Sequence, residues 1–185
     1  MIVSITSLWL PILLSAVFVF AAAAVVWMAL PHHKNEWKGL SNEDAARAAL
    51  KGTAPGQYVL PYATAQGMND PAYLKKREEG PTAWLTVVPP GARGMGPQMI
   101  SSFVYYLAVG VVAAYLAGRT LGPGTPYLRV FRVVGTVSWV AYGWGVISDG
   151  IWFGKPWSSV AKQLADALLY ALLTAGTFGW LWPEM

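Results

Sequence analysis

Two neighbouring histidines and two distant aspartates are the residues of this chain whose chemistry most readily suggests a site. His32 and His33 directly follow an apolar stretch near the start of the chain. Asp149 lies near the end of a later apolar stretch, and Asp166 lies inside the next one. Imidazole nitrogens and carboxylate oxygens are ligands that zinc, iron and copper accept. These four residues form a candidate metal site, although they have no motif spacing and adjacent histidines on a regular helix point in different directions.

The same residues also fit a purely structural interpretation. A carboxylate within an apolar helix is costly unless it faces protein or water, which makes Asp166 a candidate functional residue. Lys162, Asp166 and Tyr170 recur at four-residue spacing and share one helix face. In this second interpretation, Lys155 or Lys162 neutralises Asp149 and Asp166 within a buried polar network. Both interpretations stay open at the level of the sequence.

Four long apolar stretches have to position these side chains. They cover roughly residues 7–30, 99–117, 130–153 and 160–182, and each can cross a hydrocarbon core of about 30 Å. Only 12% of the residues are charged, against roughly 25% in a typical soluble domain. We predict a membrane all-α fold, in which a bundle of four transmembrane helices carries a small α+β extramembrane insert between helices 1 and 2.

The polar segment after the first stretch divides the chain into three parts. We expect transmembrane helix 1 over residues 1–30, the α+β insert over 31–98 and a three-helix transmembrane hairpin region over 99–185. In the insert, Ser41 is predicted to cap one helix and Asp70 a second helix, which Gly80 ends. Residues 57–62 and 82–88 are predicted strands. Two strands around a helix are too little to be stable alone in water, so we expect the insert to pack on the bundle or on a partner.

Small and aromatic residues predict how the helices pack and where they meet the membrane surface. Gly135, Ala141 and Gly145 lie along the third stretch, and the last two have the small-xxx-small spacing of closely packed membrane helices. The partner helix belongs either to this chain or to another subunit. Most of the ten tryptophans lie near the ends of the stretches, as expected for anchoring at the lipid headgroups. Trp139 and Trp144 are exceptions inside the third stretch.

Composition and missing motifs narrow the classes of function. The chain has no cysteine, which excludes disulfides, cysteine-ligated zinc and thioether-bound haem. Its net charge of +4 is spread over separate segments, which is typical of a membrane surface and not of a nucleic-acid-binding protein. No phosphate-binding loop, nucleophile elbow or HExxH motif is recognised. We therefore assign no catalytic residue and leave cofactors unassigned.

The charges next to the apolar stretches indicate an orientation. The connection between the second and third stretches is flanked by Arg119, Arg129 and Arg132, with no acidic residue between them. The positive-inside rule then places this connection and both termini in the cytoplasm and the insert in the periplasm. Lysines on the insert side oppose this orientation, so the periplasmic insert is favoured only slightly.

Several short motifs spread over nearly the whole chain resemble those of one protein family. They are Pro31-His-His-Lys34, Gly118-Arg-Thr120, Ile151-Trp-Phe-Gly-Lys-Pro-Trp157 and Leu172-Leu-Thr-Ala-Gly-Thr-Phe-Gly-Trp-Leu-Trp-Pro183. The family consists of small bacterial four-span membrane proteins to which no function is attached. The resemblance implies a bacterial inner membrane and a four-helix architecture, and it carries over no catalytic or binding residue.

The function favoured by these patterns is an accessory one. We expect an integral-membrane subunit, an interaction partner more than an enzyme, that contacts lipid and other membrane subunits in a larger complex. The alternative is a small membrane enzyme or metal-binding protein that uses the His/Asp cluster on the insert side. A third hypothesis is a channel or carrier lined by Asp166, Tyr170 and Thr174, but the fourth stretch offers only Thr177 beyond them.

Overall fold

A computed structural model describes residues 2–91 and 94–184 of the chain. Its helices and strands are α1 (Trp9–Ala24), α2 (Glu43–Leu50), β1 (Gly56–Leu60), α3 (Pro71–Glu79), β2 (Ala83–Val87), α4 (Met95–Thr120), α5 (Tyr127–Gly143), α6 (Gly145–Trp152) and α7 (Trp157–Trp180). Within the described residues, one compact unit contains the chain up to Trp37 and from Gly94 onward, and the other begins at Lys38. The first unit contains all the long helices.

Three helical segments of the first unit are long and apolar enough to span a membrane. They are Ile5–Ala29, Met95–Thr120 and Tyr127–Trp152. The first extends α1 with a 3-10 turn before it and a π-helical turn after it, and the third joins α5 and α6 around Trp144. Helix α7 has 24 residues but is not among them, because Lys162, Gln163 and Asp166 lower the mean hydropathy of its first half. Apolar helices of spanning length are thus confirmed for three of the four predicted stretches.

The four long helices lie side by side within this unit. Helix α1 contacts α4 and α7, and helix α5 also contacts α4 and α7, so that each lies against two others. Two clusters of buried apolar side chains fill the space between them. The larger contains Leu8, Val130, Val134 and Phe178 among others, and the smaller consists of Val19, Ala23, Val26 and Tyr170.

Alanines allow the helices of this unit to approach closely. Two rows of nearly fully buried alanines run along α4 and α7 at four-residue spacing, namely Ala113 with Ala117 and Ala167 with Ala171 and Ala175. Small side chains of this kind let the backbones of neighbouring helices come close and pack without cavities. These alanines were not among the packing residues predicted from the sequence.

The predicted packing residues of the third stretch have two different outcomes. Gly135 lies against α7, since a Cβ on it would be 3.2 Å from the Cβ of Ala175. Ala141 and Gly145 are exposed, and a Cβ on Gly145 would meet no atom within 4 Å. The glycine that packs tightly in this region is Gly143, because a Cβ on it would be only 2.5 Å from the Cβ of Ala167. Gly143 and Gly145 point in different directions because two residues of a helix are rotated by about 200° about its axis.

The second unit contains the predicted helices and strands of the insert. β1 and β2 form an antiparallel pair with Gly56 opposite Val87 and Leu60 opposite Ala83. Asp70 caps α3 as predicted, since its carboxylate accepts a hydrogen bond of 2.7 Å from the backbone N–H of Ala72. No described residue of this unit is buried.

The cap of α2 differs from the prediction by one residue. Asn42 caps the helix, and its side-chain oxygen accepts a hydrogen bond of 3.1 Å from the backbone N–H of Ala45. Ser41 was the predicted cap, and it lies one position before the residue that takes this role. Asn and Ser are nearly equivalent at this position, so that the sequence alone does not separate them.

Candidate metal centre

The irregular end of the first apolar helix positions the two histidines. After Ala24 the chain makes the π-helical turn Val25–Ala29, then Leu30 is extended and Pro31 begins a 3-10 turn that contains His32 and His33. Short π-helical turns recur at functional sites. Because the histidines do not continue a regular α-helix, the divergence expected for adjacent helical side chains does not apply to them.

Both imidazoles meet the carboxylate of Asp166, one on each oxygen. Nε2 of His33 lies 2.7 Å from Oδ2, and Nε2 of His32 lies 3.2 Å from Oδ1. One metal-ligating atom from each of the three residues lies within 4.8 Å of the other two. His33 and Asp166 are buried, whereas the side chain of His32 is 33% exposed. The cluster therefore has one accessible edge, at His32.

Glu36 is a member of this centre that the sequence analysis missed. Its Oε1 lies 3.0 Å from Nδ1 of His33, and its side chain is buried. Lys162 lies 3.6 Å from the same Glu36 oxygen, and its ammonium also donates a hydrogen bond to the backbone carbonyl of His32. The three-residue spacing of His33 and Glu36 is the only signal in the sequence that indicates this contact.

Trp27 lies under the ring of His33. The indole and imidazole are stacked, with ring centroids 4.0 Å apart and planes inclined by 5°. Trp27 is one of the tryptophans near the end of an apolar stretch that are predicted to anchor at the headgroups, and this stack gives it a second role. Together with Glu36, Trp27 restricts the ring of His33 to one plane and one direction.

The remaining candidate residues lie outside this centre. Asp149 pairs with Lys155, at 3.5 Å between Nζ and Oδ2, and its side chain is half exposed. Lys155 also donates a hydrogen bond of 2.9 Å to the side chain of Gln163. Three of the four candidate ligands, His32, His33 and Asp166, therefore lie together, and Asp149 does not. Of the predicted polar network, Lys162 lies at the centre and Tyr170 one turn further along α7.

The hydrogen bonds of His33 limit what the centre can hold. Both of its ring nitrogens face carboxylate oxygens, and both can donate only when both carry a proton. A divalent cation at the Nε2 side would replace that proton and leave the Nδ1–H of His33 donating to Glu36. This is the carboxylate–histidine–metal arrangement that orients the ligands of many metal sites. The cluster is thus suited to hold either protons or a cation.

Comparison with protein-family models, curated proteins and solved structures found no match to this chain. No residue role is therefore transferred to the centre from another protein. Its function has to be inferred from its own geometry and chemistry.

Proposed function

We propose that this chain is an integral-membrane protein whose function depends on a divalent transition-metal ion bound by His32, His33 and Asp166. The observation that carries the proposal is the convergence of two imidazole nitrogens on the two oxygens of one buried carboxylate. An ion held at about 2.0–2.2 Å by each ligand keeps neighbouring ligand atoms about 3.0–3.5 Å apart. The 3.2 Å between His32 and Asp166 lies in this range, and the 2.7 Å between His33 and Asp166 is a hydrogen-bond distance that has to lengthen when the ion enters.

The surroundings of the three ligands support a metal centre over a simple ion pair. An ion pair needs one imidazole for one carboxylate, whereas here two imidazoles share Asp166 and a second carboxylate, Glu36, orients one of them. Outer carboxylates that receive the free N–H of a ligating histidine are typical of metal sites. Lys162 near Glu36 offsets the charge of this second carboxylate.

The ligand types favour some metal ions over others. Two imidazoles and one carboxylate suit zinc with an open fourth position, or iron(II) with several open positions. Magnesium and calcium prefer oxygen ligands, and copper(I) prefers the soft ligands of cysteine and methionine. We therefore assign the centre to a borderline divalent ion of the zinc or iron(II) class.

The first test is a titration of the metal-free, full-length protein in mild detergent. We expect saturation at one Zn²⁺ or Co²⁺ per chain, with release of protons on binding because the imidazoles must give up theirs. An excess of Mg²⁺ of about 100-fold should not displace the ion. A protein that binds neither Zn²⁺ nor Co²⁺ would contradict the proposal.

The proposal includes an arrangement in the membrane. We propose that α7 forms a fourth span beside the three apolar helical segments, since it lies against two of the other long helices. The polar centre then lies at the end of the bundle from which the insert leaves. The arginines and the family resemblance noted in the sequence support a bacterial inner membrane with a periplasmic insert as part of this proposal.

A second proposal is an accessory role in a larger membrane complex. Two observations favour it, namely the exposed pair Ala141 and Gly145 and the absence of buried residues in the described part of the second unit. A two-stranded sheet is marginal by itself in water, and small exposed residues suit a helix of another subunit. The two proposals are compatible, because the metal centre and the exposed small residues are different surfaces.

The accessory role is tested by extraction from native membranes in mild detergent. We expect the wild-type chain to migrate in a native gel with larger subunits, identified by mass spectrometry of the band. Gly145→Leu should release it from them, because the larger side chain prevents close helix approach. Migration of the wild-type chain as a lone monomer would contradict this role and leave the metal centre unaffected.

A further inference from the structure

One buried hydroxyl beside the metal centre has no hydrogen-bond partner. Tyr170 is only 7% exposed, and its hydroxyl oxygen makes no hydrogen bond within the described part of the chain. A buried hydroxyl without a partner is costly, and such groups in native structures often await a ligand or water. The hydroxyls of two neighbouring tyrosines are satisfied, since Tyr105 donates to the backbone carbonyl of Ala141 and Tyr142 pairs with Thr174.

This hydroxyl lies next to the proposed metal ligands. Tyr170 follows Asp166 by one helical turn on the same face of α7, and its hydroxyl is close enough to feel the charge of the Asp166 carboxylate. The indole of Trp27, which lies in the turn after α1 and stacks on His33, approaches this hydroxyl as a donor without forming a hydrogen bond of full geometry. The indole N–H can only donate. The hydroxyl proton of Tyr170 therefore has no acceptor within the described part of the chain.

The three proposed protein ligands do not complete the coordination of a metal ion. Three protein ligands leave at least one coordination position open on zinc or iron(II), and open positions distinguish sites that bind small molecules from purely structural sites. The 33% exposure of the His32 side chain leaves one edge of the centre accessible. A coordination position that the protein would not fill and an unpartnered hydroxyl proton thus occur in the same region.

We infer that the metal centre binds a small anion, of the carboxylate type, and that the hydroxyl of Tyr170 donates a hydrogen bond to it. The inference rests on the proposed metal function and adds to it the class of ligand and the residue that selects it. The metal neutralises the charge of the anion, and the hydroxyl fixes its position. Tyr170 contacts the ligand and not the ion, so its loss weakens anion binding and leaves metal binding intact.

The test uses the full-length protein in detergent, loaded with Co²⁺, whose visible absorption changes when its ligands change. Azide and acetate serve as probes. We expect each anion to shift the spectrum of the wild-type protein in a saturable way. In Tyr170→Phe, we expect about tenfold weaker anion binding, because a hydrogen bond to a charged acceptor is lost. The affinity of Tyr170→Phe for Co²⁺ should stay within about twofold of wild type, since no metal ligand changes.

Tyr142→Phe is the matched control. It removes a hydroxyl from the same group of tyrosines, with ring centroids 6.0 Å apart, but one that is already paired with Thr174. Its affinity for azide should equal that of the wild type. An equal loss in both variants, or no loss in Tyr170→Phe, would overturn the role of Tyr170.

Different results would contradict the metal function and the anion site. If the wild-type protein does not bind Co²⁺, the proposed metal function is wrong. If it binds Co²⁺ but neither anion changes the spectrum, the metal function stands and the anion site is wrong. If the anion binds with unchanged affinity in Tyr170→Phe, the anion site stands and the role inferred for Tyr170 is wrong.

Discussion

Asp166→Asn is expected to lower the affinity of the protein for Zn²⁺ or Co²⁺ by at least about 100-fold. The loss of an outer-shell partner already costs up to about 100-fold, and Asp166 is proposed as a direct ligand. The amide keeps the shape of the side chain but removes the only charged ligand of the proposed set. It also places an NH₂ group opposite one of the two histidines, which approach the carboxylate at 2.7 and 3.2 Å. The measurement is a competition titration against a chromophoric chelator.

Asp149→Asn is the matched control for this variant. It makes the same chemical change in a carboxylate that pairs with Lys155 and lies outside the centre. We expect its metal affinity to stay within about twofold of wild type, since neither a ligand nor an outer-shell partner changes. Equal affinities in the two variants would show that the His/Asp cluster is an ion-pair network without a metal. Equal thermal unfolding of both variants would exclude loss of fold as the cause of a difference.

The second large effect is expected from Gly143→Val. A Cβ at this position would be 2.5 Å from the Cβ of Ala167, so that α5 and α7 are in close contact here. Forcing extra carbons into such a contact typically costs about 1–3 kcal/mol. We expect a lower midpoint of thermal unfolding in detergent and, because Ala167 adjoins Asp166 in sequence, weaker metal binding.

Gly145→Val separates packing from backbone effects. The substitution changes the same residue type in the same way, but a Cβ on Gly145 meets no atom within 4 Å. The valine should instead raise the helix propensity slightly, since glycine is among the poorest helix formers. We expect the unfolding midpoint of Gly145→Val to be equal to or above that of wild type. If both variants unfold at the same temperature, the close contact between α5 and α7 is not present in the protein in solution.

Much of the fold follows from local pattern. Three apolar stretches of spanning length, the two strands of the insert and the cap at Asp70 all depend on residues that are near in sequence, and the structure contains each of them. The role of α7 is harder to predict, because Lys162 and Asp166 lie in an otherwise apolar helix. Whether α7 is buried depends on which polar groups of other segments pair with these two charges. The sequence does not show which groups those are.

The centre was predictable as a list of residues but not as a set of contacts. His32, His33 and Asp166 were candidates for a reason of chemistry, and so was Asp149, which pairs with Lys155 instead. Which carboxylate meets the histidines depends on the rotation of two helices about their axes. A shift of one residue rotates a helix by about 100°. Glu36 was missed because it lies in an irregular turn, where no periodic pattern predicts its direction.

The packing glycines illustrate the same limit. The spacing of Ala141 and Gly145 matches a helix-packing motif, yet both residues are exposed within this chain. The buried row of alanines on α7 has the same spacing and was overlooked, since alanine is frequent in any apolar helix. Spacing identifies faces that are able to pack, and only the structure identifies the face that does.

The contact between His33 and Asp166 joins residues 133 positions apart in the chain. During synthesis, the chain up to Glu36 therefore emerges long before its binding partner on α7 exists. Until α7 has packed against α1, the histidines lack the carboxylate of Asp166, and the proposed metal site is incomplete. Under the proposed metal function, occupancy therefore reports whether α7 has reached its place. A chain in which α7 is missing or misplaced would stay empty, and a correctly folded chain would become harder to unfold once the ion binds.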